Sequence, residues 1–456
     1  MTVVDRKSRV AIVGGGLVGA LAACFFAKRG HAVSVYEYRA DIRMEDSRGQ
    51  SIDLALSVRG RAALKAVGLE KTIVDQHGIC MRGRMLHGKD GSLKEIIYDS
   101  VKGNCIYSVS RRYLNVLLLN AAEKYPEVVL YFNKKLVDAD LDNGTMKIFD
   151  TKTETIEEIQ ADLIIGADGA YSKVRKIMMK RPLFNCSQTY IEHGMFHSNI
   201  RIFAAGNPSF AMSGHHLHIW PRGEFMMIAL PNEDYTFTAN IFAPFATLDK
   251  LKTSKDLLEF YEAQFPDFVR MIGRDRLVKD YFERQPKTLI SIKCKPYHAG
   301  KKALLVGDAA HAMVPFYAQG MNAGFEDMLL LDELMERYES DFGKVLPMFT
   351  ELRSDDAHAI CDLAMYNYVE MRDLVNRKSF RFRRSLDTFL YRQIPNTWIP
   401  LYSTVHFSRM KFRDCIANKE WQDKILRTSV WSTVFVILAI LLVQVMEKYS
   451  MKCVLF

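Results

Sequence analysis

A glycine-spaced turn near the start of the chain places the strongest constraint on its fold. Gly14, Gly16 and Gly19 follow the short apolar run Val10–Val13, and they open a segment of small residues, Leu17–Lys28, that is typical of a helix. In a strand–turn–helix unit the first glycine permits a tight turn and the second lets the backbone approach a pyrophosphate. The third lets the helix pack on the strand. The helix N-terminus adds free N–H groups and the positive end of a dipole.

A second apolar segment, Ala32–Tyr36, ends in Glu37, which lies 23 residues after Gly14. An acid at this distance is placed to accept hydrogen bonds from the ribose of a bound adenosine. An ordinary tight turn between a strand and a helix needs neither three glycines nor this acid. The combination therefore predicts a dinucleotide-binding unit in the first part of the chain.

Two later turns also follow apolar strand-like runs and precede helix-like segments. They are Asp168–Gly169 and Gly307–Asp308. Either turn alone is common in α/β proteins, and its default interpretation is structural. Between residues 128 and 149 three short runs predict a small meander with a turn at Asn143–Gly144. From Ile200 to Phe245 the apolar period changes towards two, which predicts a separate antiparallel sheet.

Charge and cysteine content exclude some classes of function. The net charge is +9, and the excess is concentrated between Arg372 and Arg392, where basic residues alternate with Phe380, Phe382 and Phe389. No nucleic-acid motif accompanies this segment, so it predicts a membrane-facing basic helix or a solvated face. The eight cysteines show no C-x-x-C and no metal-ligand spacing, which indicates reduced thiols and no bound metal.

The end of the chain carries an apolar segment of 19 residues, Thr428–Met446, without a formal charge. As a helix it would reach roughly 28 Å, close to the thickness of a bilayer core. A buried core helix is the alternative, but such helices usually keep a polar stripe. We therefore expect a tail anchor, with Lys424 and Arg427 on its cytosolic side. The C-terminal Cys453-Val-Leu-Phe matches a prenylation box in form, which we interpret as coincidence because it lies beyond the span.

The three turns together, in this order and spacing, resemble the aromatic-ring hydroxylase family of class A flavoprotein monooxygenases. Longer segments narrow the resemblance to the kynurenine 3-monooxygenases within that family, and it covers essentially the whole chain. These segments include Met81–Met85, Leu217–Arg222, Phe225–Asn232, His311–Phe316, Gln319–Asp327, Met365–Arg372 and Ile399–Tyr402.

The resemblance implies an α/β fold, α+β overall, in which a Rossmann-type FAD-binding domain is interleaved with an antiparallel-sheet substrate domain. A helical C-terminal region and a transmembrane helix follow. The implied FAD-binding domain comprises residues 1–75, 101–185 and 296–340. The implied substrate domain comprises residues 76–100 and 186–295. Residues 341–427 form the helical region, and residues 428–446 form the anchor.

The same resemblance implies FAD as the resident cofactor, with the D-G-x-x-S-x-x-R element from Asp168 to Arg175 where flavin and NAD(P)H binding meet. Only one G-x-G-x-x-G is present, so NADPH is expected to bind transiently, without a domain of its own. The residues implied to bind FAD are Gly14, Gly16, Leu17, Val18, Gly19, Glu37, Arg39, Ala55, Arg111, Asp168, Asp308, Gln319, Gly320, Met321 and Asn322.

The implied reaction is hydroxylation of L-kynurenine to 3-hydroxykynurenine, a step of tryptophan catabolism, with NADPH and O2. A flavin C4a-hydroperoxide carries the chemistry, so no protein nucleophile and no metal is expected. An amino-acid substrate needs a cation for its carboxylate, and arginine binds carboxylates bidentately. The residues implied to contact the substrate are Arg84, Tyr98, Asn367, Tyr402, Phe316, Pro315, Tyr317, Met371 and Phe242.

Two alternatives remain open on the sequence. One is a ring hydroxylase acting on another phenol, and the other is a tail-anchored FAD-bearing scaffold whose basic segment recruits partners. Ala318 stands where the family usually has glycine, so a left-handed backbone there would be strained. The resemblance also implies the outer mitochondrial membrane as location, with the catalytic part facing the cytosol.

Overall fold

A computed structural model of the chain describes residues 7–44, 53–200 and 209–453. Its strands are β1 Arg9–Val13, β2 Ala32–Glu37, β3 Asp53–Leu56, β4 Ile79–Met81, β5 Gly83–His87, β6 Leu93–Ile97, β7 Ile106–Ser110, β8 Val128–Phe132, β9 Lys134–Asp140, β10 Thr145–Asp150, β11 Ile156–Gln160, β12 Leu163–Gly166, β13 Asn185–Ile200, β14 His216–Pro221, β15 Met226–Pro231, β16 Phe237–Pro244, β17 Lys287–Lys295, β18 His298–Ala299 and β19 Ala303–Leu305.

The helices connect and cover these strands. They are α1 Leu17–Lys28, α2 Val58–Ala66, α3 Glu70–His77, α4 Arg111–Glu123, α5 Lys173–Met178, α6 Phe245–Leu248, α7 Ser254–Gln264, α8 Pro266–Ile272, α9 Arg274–Phe282, α10 Asp308–His311, α11 Gly320–Arg337, α12 Phe342–Arg372, α13 Lys378–Gln393, α14 Leu401–Phe407 and α15 Phe412–Cys453. Two short 3-10 turns add Pro315–Tyr317 and Leu374–Asn376.

A six-stranded sheet in the order β18-β19-β12-β1-β2-β8 forms the first layer, and its central strands run parallel. These strands are short runs of Val, Ile, Leu and Ala, as expected for a sheet that is covered on both faces. Helix α1 is buried along nearly its whole length, because its alanines and glycines let it pack closely on the sheet and on α4 and α11. Because β1, β12 and β19 run parallel, their carboxyl ends lie at the same edge of this sheet.

The predicted meander is partly wrong. β8 does not belong to it, because Val128–Phe132 pairs in parallel with β2 at the edge of the six-stranded sheet. The small antiparallel sheet consists of β9, β10 and β11, and its third strand, Ile156–Gln160, lacks the apolar pattern that would have revealed it. The turn at Asn143–Gly144 is present, and Gly144 has a φ of 78°.

A seven-stranded sheet in the order β17-β13-β16-β15-β14-β5-β6 forms the second layer. It is antiparallel except where β14 pairs in parallel with β5, two strands that are distant in sequence. One face packs on α7, α8 and α9 through an aromatic cluster that includes Trp220, Phe237 and Phe268. The other face carries Met226 and Phe242 towards helix α12.

The C-terminal part is helical and ends in α15, which continues from the folded body as a single helix of 42 residues. Within the described chain, one helix is long and apolar enough to cross a membrane, and the qualifying stretch is Phe412–Gln444. Trp431 and Phe435 in this stretch are 72% and 73% exposed, so the protein itself leaves this face of the helix uncovered. The last three residues of the prenylation-like box lie outside the described chain.

Candidate functional site

The first glycine turn leaves space for a ligand backbone at the end of β1. Gly14 has a φ of +103°, and a Cβ on it would lie 2.5 Å from the Ala167 carbonyl oxygen. A Cβ on Gly19 would lie 1.9 Å from the Gly14 carbonyl oxygen, so helix and turn are in direct contact. Gly16, at the N-terminus of α1, has no atom within 4 Å of its Cβ position among the described residues. Its open side faces a large cavity.

Glu37 ends β2 beside this turn. Its Oε2 accepts a hydrogen bond from the Gly15 N–H at 2.8 Å, and its Oε1 accepts one from the Arg39 N–H at 3.0 Å. The carboxylate therefore fixes the turn and still lines the cavity. Arg39 lies on the same wall with an exposed side chain.

Asp168 follows β12 and caps the start of α5. Its Oδ2 accepts hydrogen bonds from the N–H groups of Lys173 and Val174 at 2.6 and 3.2 Å. Its Oδ1 is buried and has no hydrogen-bond partner among the described residues, although Asp168 lines the cavity. Burial raises the pKa of this carboxyl, despite hydrogen bonds that act in the opposite direction. Arg175 lies behind the turn, where it donates to the carbonyl oxygens of Ala309 and Ala170.

The third turn rests on a buried ionic network that the sequence did not reveal. The Asp327 carboxylate accepts from the Gly307 N–H and lies 2.7 Å from His311 Nε2 and 2.7 Å from Arg353 Nε. Burial alone would raise the pKa of Asp327, but His311 and Arg353 outweigh it and hold this pKa below its usual value. The network fixes Gly307, whose φ is 58°, and leaves Asp308 on the cavity wall.

These three turns line one end of the cavity, which we call the loop end. The cavity has a volume of about 710 Å³ and continues without interruption to a second region, which we call the arginine end. Arg84, Asn367, Phe316 and Tyr402 line that region. A volume of this size is typical of a site that binds a small molecule or a cofactor.

Arg84 lies on β5 with only 4% of its side chain exposed. Its NH1 donates to Glu370 Oε1 at 3.3 Å, and its guanidinium lies 4.7 Å from the ring centroid of Tyr402. The Nε of Arg84 has no partner among the described residues. Tyr98 stacks on Tyr402 with ring centroids 4.9 Å apart, and it lies behind the cavity wall. A buried cation with a spare donor is suited to an incoming carboxylate.

The arginine end also has an aromatic wall. Phe316 stacks on Tyr368 at 3.8 Å and meets Phe242 edge to face at 4.9 Å. Asn367 Nδ2 donates to the Phe316 carbonyl oxygen at 2.7 Å, while its Oδ1 has no partner among the described residues. The wall can bind a flat ring, and Asn367 can accept one hydrogen bond from it.

Sequence reasoning missed two residues at the arginine end. His406 lines the cavity and stacks on Tyr402 with centroids 4.1 Å apart. Burial, reinforced by the nearby charge of Arg84, lowers the pKa of His406 to about 3. Tyr368 supports Phe316 from behind. Tyr368 lies within the segment Met365–Arg372, next to the predicted Asn367, but nothing in that segment marked it as a support for Phe316, and His406 lies outside all of the segments that carry the resemblance.

Most of the predicted site residues line this one cavity, and four do not, namely Tyr98 behind the wall, Gly19, Gln319 and Asn322. Gly19 packs against the first turn, and Gln319 is buried with both atoms of its amide group unpartnered among the described residues. Asn322 links the carbonyl oxygens of Ala55 and Ala318. The predicted residues on the cavity wall are Gly14, Gly16, Leu17, Val18, Glu37, Arg39, Ala55, Arg111, Asp168, Asp308, Gly320, Met321, Arg84, Asn367, Tyr402, Pro315, Phe316, Tyr317, Met371 and Phe242.

Ala318 follows the short turn Pro315–Tyr317 and has a φ of 51° and a ψ of 33°. This is the left-handed region, which alanine adopts at a cost of about 1–2 kcal/mol. The expected strain at this position is therefore present. Ala318 also lines the cavity, at the junction of its two ends.

Comparison with known protein families matches residues 7–346 to the FAD binding domain family. The folds of solved oxygenases are also similar. The p-nitrophenol 4-monooxygenase PnpA from Pseudomonas putida DLL-E4 has a TM-score of 0.65 at 18% identity, and covers 85% of this chain and 93% of its own. The 2-methyl-3-hydroxypyridine-5-carboxylic acid oxygenase has a TM-score of 0.63 at 21% identity, with coverage of 87% and 95%.

Curated relatives extend over nearly the whole chain. The kynurenine 3-monooxygenase of Anopheles gambiae is 56% identical over 91% of this chain and 85% of its own length. That of Sus scrofa is 47% identical over 93% and 89%. That of Myxococcus xanthus is 40% identical over 90% and 88%. The chain therefore belongs to the kynurenine 3-monooxygenase family of FAD-binding proteins.

Proposed function

We propose that the chain hydroxylates L-kynurenine to 3-hydroxykynurenine, using FAD as resident cofactor and NADPH and O2 as co-substrates. The observation that carries the proposal is the continuity of one cavity between the three turns of the loop end and the buried Arg84. The family membership of the chain supports the same reaction, since the kynurenine 3-monooxygenase of Anopheles gambiae is 56% identical to it.

The loop end fits FAD. Gly16 leaves open space where a pyrophosphate would approach the N-terminus of α1, and the free N–H groups there suit its charge. Glu37 stands at the ribose position, and Asp168 Oδ1 is a buried acceptor without a protein partner among the described residues. When bound, FAD supplies the redox chemistry that activates O2 with electrons from NADPH.

The arginine end fits an aromatic amino acid. The α-carboxylate would pair with Arg84, and the α-ammonium would find Glu370, which already lies 3.3 Å from that guanidinium. The aniline ring would lie against Phe316 and Phe242. These residues would bind and orient the substrate and exclude water, which are among the contributions that a protein makes to cofactor chemistry.

We further propose that α15 is a C-terminal tail anchor that holds the protein in a membrane. Lys424 and Arg427 immediately precede the apolar stretch, as expected for its cytosolic side. The catalytic body would then face the cytosol, and the outer mitochondrial membrane is the proposed location on the basis of the family resemblance. A test is alkaline extraction of membranes from cells that express the full chain. The chain should stay in the pellet, and release into the supernatant would contradict the anchor.

The proposed reaction is tested with the purified full chain, loaded with FAD, in detergent. L-Kynurenine should stimulate NADPH oxidation and yield a hydroxylated product, whereas a phenolic acid such as 4-hydroxybenzoate should not. Stimulation by the phenolic acid alone would indicate another ring hydroxylase. A bound flavin that NADPH never reduces, with or without L-kynurenine, would indicate a non-enzymatic FAD protein.

A further inference from the structure

A second groove, separate from the main cavity, lies between α13 and the first half of α15. It has a volume of about 580 Å³ and opens at the point where α15 leaves the folded body. The residues that line it are Phe382, Arg383, Leu386, Lys419, Asp423, Leu426, Arg427 and Trp431.

The groove is built by ion pairs at its inner end. Arg383 on α13 bridges to Asp423 on α15 at 2.5 Å and to Asp387 at 2.9 Å. Lys419 also pairs with Asp423, at 2.7 Å. Asp423 is thus shared by two cations, while Arg427 has no ion pair among the described residues. Arg383 and Lys419 are balanced by the carboxylates of Asp423 and Asp387, so the surplus positive charge of the groove is that of Arg427.

The outer end of the groove is apolar and exposed. Phe382 is 73% exposed and Trp431 is 72% exposed, and the half-buried Leu386 and Leu426 add further apolar surface to the groove. Tryptophan is enriched at membrane interfaces because its ring is apolar and its N–H is polar. Among the described residues, the rings of Phe382 and Trp431 are left largely uncovered.

The order of residues along α15 follows the depth expected in a membrane. Lys419, Asp423, Arg427 and Trp431 recur every four residues and therefore occupy successive turns of the helix. One turn further lies Phe435, which is 73% exposed within the stretch that is apolar enough to cross a bilayer. Along α15 towards that stretch, the groove is lined first by the ion pair of Lys419 and Asp423, then by the unpaired Arg427, and then by the ring of Trp431.

We propose that this groove binds one anionic phospholipid of the host membrane. Arg427 contacts its phosphate, and its acyl chain lies along Phe382 and Trp431. The site rests on the proposed tail anchor, because the groove meets lipid only if α15 enters a bilayer. Two observations favour a lipid as the occupant, namely the positive charge of the groove and its continuity with the exposed apolar face of α15. Basic pockets beside membrane helices recognise anionic headgroups in this way.

The test uses the full chain with FAD, reconstituted into phosphatidylcholine vesicles that contain either brominated phosphatidylglycerol or brominated phosphatidylcholine at equal mole fraction. Bromine quenches nearby tryptophan fluorescence, and Trp431→Phe identifies the part that comes from the groove. We expect a roughly fivefold preference for the anionic lipid at Trp431. Arg427→Gln should abolish this preference, whereas Lys424→Gln, on the same helix but outside the groove, should leave it unchanged.

The possible outcomes separate the groove from the anchor. If both substitutions reduce the preference equally, general surface charge attracts the lipid, and the groove proposal is wrong. Flotation on vesicles without any lipid preference overturns the groove proposal alone. Failure to float on any vesicle overturns the anchor and the groove with it. A chain that dimerises through Arg427 without a lipid preference would show that the groove binds a second copy.

Discussion

The two ends of the main cavity are built from different parts of the polypeptide. The loop end is formed mainly by backbone, in the turns that follow β1, β12 and β19, and the glycines of these turns leave space for a ligand. The arginine end is formed mainly by side chains. Arg84, Glu370 and Tyr402 come from three distant elements, and they meet in one cluster around the buried Arg84. Because of this difference, we expect that mutations can affect cofactor retention and substrate recognition separately.

The largest effect is expected from Arg84→Met. Loss of the guanidinium removes the partner of the substrate carboxylate and breaks the ion pair with the half-buried Glu370. Removing one member of a buried charge pair costs about 2–5 kcal/mol, so kcat/KM for L-kynurenine should fall by at least roughly 30-fold. Bound FAD, measured from the flavin absorbance of the purified chain, should be unchanged.

Arg82→Met is the matched control, because Arg82 is exposed and lies two residues before Arg84. It should retain both activity and FAD. Loss of FAD in Arg84→Met would show that the two ends are not separable.

The second prediction concerns the pH dependence of folding stability, which arises from one histidine at the arginine end and one in the seven-stranded sheet. Burial lowers the pKa of His406 and of His218 to about 3. Both pKa values are therefore below that of an unfolded histidine, so the unfolded chain takes up protons first as the pH falls below about 6.5. The corresponding stability is present above that pH and is lost towards pH 3.

At pH 5 the loss should be roughly 2 kcal/mol for each of the two histidines. Thermal melts of the detergent-solubilised chain at pH 8 and pH 5 measure it. His406→Gln should show a smaller drop between these two pH values than the wild type. Equal drops in both proteins would mean that His406 is protonated in the folded state.

Gly16→Ala examines the loop end alone. Gly16 has a φ of −71°, which alanine adopts freely, and its Cβ would meet no described atom. Without bound FAD, the Gly16→Ala variant should have the same melting temperature as the wild type. A bound pyrophosphate would meet the new methyl group, and FAD affinity should fall roughly tenfold or more.

Gly14→Ala is the comparison variant, because its Cβ would clash with the Ala167 carbonyl at 2.5 Å. This variant should lose stability even without FAD. If Gly16→Ala bound FAD normally, the pyrophosphate would have to lie elsewhere.

The smallest effect is expected from Ala318→Gly, at the junction of the two ends. Glycine relieves the left-handed strain at φ 51° but loses more backbone entropy on folding, so the net stabilisation should be about 1 kcal/mol or less. Differential scanning calorimetry with and without FAD measures it. A destabilised Ala318→Gly would show that the methyl group packs favourably enough to outweigh the strain.

The loop end could be predicted from sequence because its elements are local. Each turn follows its own strand and precedes its own helix within a few residues, and apolar runs show where they lie. The supports of the third turn could not be predicted in this way, since Asp327 and Arg353 come from two helices and meet only after folding.

The arginine end depends on long-range pairing. β5 lies beside β14 in a parallel arrangement between strands more than a hundred residues apart, and this pairing helps to place Arg84. His406 lies outside the segments that carry the resemblance, and the role of Tyr368 depends on its stacking with Phe316, so only the folded chain reveals them. The error in the small meander has a related cause, because apolar runs predict strands but not which sheet they join.

The most direct test of one cavity with two ends is a titration of the FAD-loaded chain with L-kynurenine, followed by the visible absorption of the flavin. A ligand bound against Phe316 and Arg84 would lie next to the flavin and should perturb its spectrum in a saturable way. Arg84→Met should abolish that saturation. L-Kynurenine that binds by equilibrium dialysis without any change in the flavin spectrum would contradict the account, because the substrate would then bind outside this cavity.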